Sequence, residues 1–132
     1  MFERRKTAKL DRLFQELHVQ PVGNGYIDCI CPMDHVPDFI RSISDLGIRI
    51  TKFTWWCYVS EGHEPCGMGG PINKFGPGWY SEIEMGHTFQ FPSNSAMLNY
   101  LTNIWPKEPD YHPCYVPAFW LDFSPDTFIK NV

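Results

Sequence analysis

No window of this 132-residue chain approaches the 18 or so consecutive apolar residues that a membrane-spanning helix requires. The basic start is not followed by the apolar run of a secretory leader, because Asp11, Arg12, Gln15 and Glu16 interrupt it. No Cys-x-x-Cys pair occurs, which removes the usual zinc-finger and thioredoxin-like spacings. The Gly-rich segment from Pro65 to Pro71 lacks the G-x-x-x-x-G-K-[ST] spacing of a phosphate loop. Bases are scarce outside residues 1–19. That segment carries +2, so a net charge of −4 leaves −6 on the remainder. A body of that sign excludes general nucleic-acid binding, which needs a basic face to displace phosphate counterions.

What is present is a globular composition, 43% hydrophobic and 20% charged, in a length that suits one domain, 1–132, with its own core. Aromatic residues are abundant at 16%, and 12 prolines with 10 glycines punctuate the chain. Five cysteines is an odd number. Cys29, Cys31 and Cys57 lie in apolar, strand-like runs, so the expectation is five reduced thiols in a cytoplasmic protein.

Leu10, Leu13, Phe14 and Leu17 recur at helical spacing, which predicts an amphipathic helix at the start of the chain. A strand follows from Tyr26 to Cys31. Asp34 is a candidate N-cap for a helix from His35 to about Leu46, closed by Gly47. Residues 48–60 read as a long strand, 61–78 as a Gly/Pro-rich connection, and 79–91 as a strand broken near Gly86. Ser93 and its neighbours open a helix bearing Met97, Leu98, Leu101, Ile104 and Trp105. Residues 114–123 form a last strand, whose Pro117 suggests an edge position.

This order predicts an α+β fold, a ferredoxin-like βαββαβ antiparallel sheet over residues 25–124 with an extra N-terminal amphipathic helix over 1–19. The likeness is architectural and implies no function. Strand alternation divides the sheet into an apolar face for the two crossover helices and a second face. The second face carries Tyr26, Asp28, Ile30, Lys52, Thr54, Trp56, Tyr58, Tyr80, Glu82, Glu84, Val116, Ala118, Trp120 and Asp122. In the ferredoxin-like strand order, Asp28 lies between Glu82 or Glu84 and Asp122. Crowded carboxylates raise one another's pKa.

The first helix, lying over this face, is one means of covering it. Otherwise Tyr26, Asp28, Trp56, Tyr58, Tyr80, Glu82, Glu84, Trp120 and Asp122 are candidate binding residues. His63, Lys74 and Phe75 of the long connection join them, since connections of that length are often functional. The function expected is binding of a basic protein partner, as a toxin-neutralising immunity protein does by analogy. The alternatives are a small-molecule binder or enzyme using the carboxylates, and a homodimer or larger homo-oligomer joined through the sheet. No catalytic residue, metal or cofactor is assigned, and neither nucleic acid nor membrane is an expected partner.

Overall fold

The computed structural model describes residues 4–22, 27–59, 69–75, 78–83 and 88–123. Helix α1 spans Arg4–Glu16, and the short strand β1 spans Gln20–Pro21. Strand β2 is Asp28–Ile30, and a 3₁₀ turn at Met33–His35 leads into α2, Val36–Asp45. Pro37 sits in the first turn of α2, where its missing N–H is harmless, but Asp34 does not cap the helix. Gly47 follows α2 with φ of 77°, the left-handed conformation that a glycine adopts without strain.

Strand β3, Arg49–Val59, is the longest strand. The connection predicted after it contains a strand of its own, β4, Gly69–Phe75, which pairs antiparallel with β5, Gly78–Ile83. Strand β6 is Phe89–Gln90. Helix α3, Asn94–Asn99, starts at Ser93, whose Oγ accepts from the Ala96 N–H at 3.1 Å. It widens into a π turn at Tyr100–Ile104 and tightens into a 3₁₀ turn at Trp105–Lys107. Pro106 is the local cause, because its ring is incompatible with the carbonyl one helical turn earlier. Strand β7 is Tyr115–Asp122.

The sheet is not ferredoxin-like. Its order is β1-β2-β7-β3-β5-β4 with β6 added beside β3, and every pairing is antiparallel. The seven strands form a nearly closed, barrel-like sheet with three short helices among the described residues. The expected fold places the first strand centrally; here β7 is central and β2 lies outside it. Strand β3 holds β7 along one side. On its other side it holds β6 at Lys52 and Phe53, then β5 from Trp56 to Val59. A register shift between Ile50 and Lys52 bends it, as bulges do.

Pro117 therefore lies in an interior strand, contrary to the edge expectation. Its carbonyl accepts from the Cys31 N–H at 3.1 Å, so its nitrogen also points toward β2, just where β2 ends. The missing donor falls on the side away from β3 and costs that ladder nothing.

One face of the sheet, with Cys29, Phe53, Trp55, Cys57, Phe119 and Leu121, packs against Phe39, Ile40 and Ile43 of α2 and Met97 of α3. Helix α1 joins the same side through buried Leu10 and Phe14, whose ring meets Phe39 edge-on at 5.8 Å. It does not cover the second face. Ile27, which alternation sets on the same side as Cys29, is exposed just before β2 begins. Cys29 and Cys31 are free and buried, but Cys57 is disulfide-bonded, which corrects the expectation of five reduced thiols.

Where β3 begins, the fully buried Asn94 carboxamide uses all four of its hydrogen-bonding positions. Its Oδ1 accepts from Ile50 N–H at 2.8 Å and from Arg49 Nη1 at 3.3 Å. Its Nδ2 donates to Ser44 Oγ at 3.0 Å and to the Ile48 carbonyl at 2.9 Å. The buried Arg49 guanidinium also donates to the carbonyls of Ile50 and Phe91, while Asp122 stands opposite on β7. Asn94→Ala should cost about 2–4 kcal/mol, because it leaves several buried groups unpaired, whereas Ser44→Ala should cost only about 1 kcal/mol. Urea titration of both variants checks this. An Asn94→Ala protein within about 0.5 kcal/mol of wild type would refute it.

Candidate functional site

The second face has the composition expected from alternation but a different arrangement. Asp28 on β2 faces Trp120 on β7, and Trp120 faces Lys52 on β3. The next row is Ile30, Ala118 and Thr54, followed by Val116, Trp56 and Glu82, then Tyr58, Tyr80 and Asn73. Ile30, Trp56, Tyr80, Val116 and Ala118 form a second, smaller core, with Val22, Met33 and Phe75 packed against it. Val22 follows β1 and Phe75 ends β4, so residues near both limits of the strand order meet one cluster. Only a sheet curled toward this face allows that.

The aromatic residues expected on an open surface are thus mostly enclosed. Trp56 is 7% exposed and Tyr80 4%, whereas Tyr58 is 43% exposed and forms a rim. Phe75 meets the Trp56 ring edge-on at 5.9 Å, and Tyr58 meets Tyr80 edge-on at 5.6 Å. Gly78 makes room for this packing, since a Cβ there would come within 2.8 Å of the Tyr80 ring. Burial pushes the Tyr80 hydroxyl pKa up, with Tyr58 and Cys31 adding to the effect.

The curl also decides the electrostatics. Asp28 and Glu82 sit on strands separated in the sheet by β7 and β3, yet they interact across the curve. Burial first, and Glu82 second, push the Asp28 carboxyl up to about 6, while Lys52 pulls in the opposite direction. The Lys52 ammonium lies over the Trp120 ring, 4.8 Å from its centre. Asp28 Oδ1 and Thr54 Oγ1 are buried without a hydrogen-bond partner. A half-buried carboxylate with one unpartnered oxygen is a strong acceptor for a cationic donor.

Asp122 does not join this group. It lies opposite Arg49, two residues beyond Trp120 on β7, and is not among the charges that shift the Asp28 carboxyl. Of the four carboxylates expected together, Asp28 and Glu82 are the two that interact among the described residues. Tyr26, Glu84 and His63 lie outside the described residues. Lys74 is exposed on β4 and stands over the Trp79 ring at 5.2 Å, turned from this face by alternation. Sequence reasoning missed the depth of the site. The signal available was the apolar content of Ile30, Val116 and Ala118 amid the polar set, which marks an interior.

No protein-family model matches the chain, and no curated protein or solved structure is similar to it.

Asp28 makes stability depend on pH. In the unfolded chain it titrates near 3.8 and in the folded chain near 6, so the unfolded state releases its proton first as pH rises. The stability it contributes is complete below about pH 4 and lost by the time pH passes about 6. The amplitude should be about 1 kcal/mol once solvent screening of a half-exposed group is allowed for. Chemical unfolding across this range should show the fall in wild type, and a smaller fall in Asp28→Asn. Identical profiles would place the titration elsewhere.

Proposed function

We propose that this chain is a binding protein whose working surface is the Asp28–Glu82 mouth of the curled sheet, and that it engages a protein partner through a basic side chain. The observation that carries this is the buried, unpartnered Oδ1 of Asp28 beside the second carboxylate of Glu82. A lysine or arginine of the partner would supply the missing donor and relieve the repulsion between the two acids. Trp120 beside Asp28 is suited to pack on its aliphatic stem.

The small-molecule and enzyme reading keeps two described carboxylates rather than four. Association through the aromatic residues of the sheet loses Trp56 and Tyr80, which are already buried within the chain. No helix among the described residues is long and apolar enough to cross a membrane. For compartment, the disulfide at Cys57 favours an oxidising one over the cytoplasm expected from the thiols.

Arginine-containing and glutamate-containing peptides, titrated separately into the labelled protein, test this reading. The basic peptide should perturb the Trp120, Tyr58 and Glu82 resonances, with affinity falling about tenfold in Asp28→Asn and falling further with added salt. Equal responses to both peptides, or an unchanged affinity in the variant, would overturn it.

A further inference from the structure

His18 and His35 are brought together by the end of α1 and the turn before α2. Their imidazole rings are 5.8 Å apart centre to centre, with 45° between the planes. His18 occupies the left-handed position that closes α1, at φ 56°, the sole non-glycine residue with positive φ among those described. The cap is complete, with His18 N–H donating to the Gln15 carbonyl at 3.4 Å and Val19 N–H donating to the Phe14 carbonyl at 2.9 Å. Glycine is the usual residue at such a cap, because any Cβ is strained there. A histidine in that place carries a backbone penalty and projects its ring toward His35.

We propose that His18 and His35 form a two-imidazole site for a borderline-soft divalent cation such as zinc or nickel, which clips the end of α1 to the turn that precedes α2. An ion bound at about 2.0–2.1 Å to one nitrogen of each ring holds the ring centres about 5–6 Å apart, so the observed spacing needs little adjustment. Imidazole is the ligand that suits zinc and nickel. Beside His18 is a groove of about 260 Å³ lined in part by Asp11, Gln15 and Gln20. These supply polar groups that bound water could reach. No third histidine, cysteine, aspartate or glutamate completes a ligand set among the described residues. Water therefore fills the remaining positions, and the site is open and of moderate affinity.

The clip adds to an existing hold on the end of α1. That helix is anchored to the core through Leu10 and Phe14, two turns and one turn before the cap, with Leu17 and Val19 packed on the same core beside it. A metal bridge from His18 to His35 ties the last turn to the 3₁₀ segment Met33–His35.

Calorimetric titration of the full chain with zinc chloride and with nickel chloride tests the proposal. Stoichiometric binding in the micromolar range is expected, weakened at least about tenfold by either His18→Gln or His35→Gln and unaffected by His112→Gln. Zinc should raise the melting temperature of the wild type but not that of the two variants. A His18→Gly variant guards against misfolding, since glycine suits the backbone there. It should melt no lower than wild type without metal and show no zinc response. Binding that survives both glutamine substitutions, or a zinc-induced rise that persists in His18→Gly, would overturn the site. So would an absence of binding to the wild type.

Discussion

The architecture depends on the demand placed on β3. This one strand must satisfy β7 along one side while serving two partners in succession on the other, β6 and then β5. A flat ribbon with an even hydrogen-bond ladder would not reach both without bending. The register shift between Ile50 and Lys52 supplies the bend near its start, and the Asn94 and Arg49 hydrogen bonds fix where the strand begins. These polar groups are buried at a junction of α2, α3 and β3, so mispositioning any of the three would leave donors or acceptors unpaired in an apolar setting. Asn94 thus makes a register as well as a contact.

From the bend follows the curl, and from the curl follows the chemistry of the second face. On a flat sheet Asp28 and Glu82 would be separated by two intervening strands and would hardly interact. Curled, they come within electrostatic range of each other, and the Asp28 carboxyl is partly stripped of water. The same curvature buries Trp56 and Tyr80 and leaves Tyr58 at the rim. The acidic mouth and its aromatic floor arise without any dedicated loop among the described residues.

Much of this was legible in the sequence, and the division between what was and was not has a physical basis. The alternation in β3 separated Phe53, Trp55 and Cys57 from Lys52, Thr54 and Trp56, because side-chain direction along a strand is a local property. The stripe of Leu10 and Phe14 announced burial for the same reason. Strand order is not local. The pattern of strands and helices suits either the ferredoxin-like order or the one observed, and the alternation of Asp28 is unchanged by which strand lies beside it. Pro117 misled because its missing donor was weighed against a full ladder, whereas β2 is short and ends at that point. The strand β4 was hidden by Gly69, Gly70 and Pro71, residues that ordinarily signal a turn. Cys57 sits in an apolar strand as a buried free thiol would, and burial alone does not reveal oxidation state.

The central position of β7 has a consequence for how the chain is made. Residues 115–122 bridge β2 and β3, whose sequences emerge from the ribosome far earlier. Until β7 arrives, β2 has no partner but the two residues of β1, and β3 shows one bare edge. Contacts between such distant parts of a sequence close slowly, and unpaired strand edges invite association with other chains during the wait. Synthesis that stops short of β7 would leave a fragment with the helices and their apolar stripes but no means of completing the sheet. Quality control in the cell would meet that fragment as an aggregation-prone chain rather than as a smaller working domain.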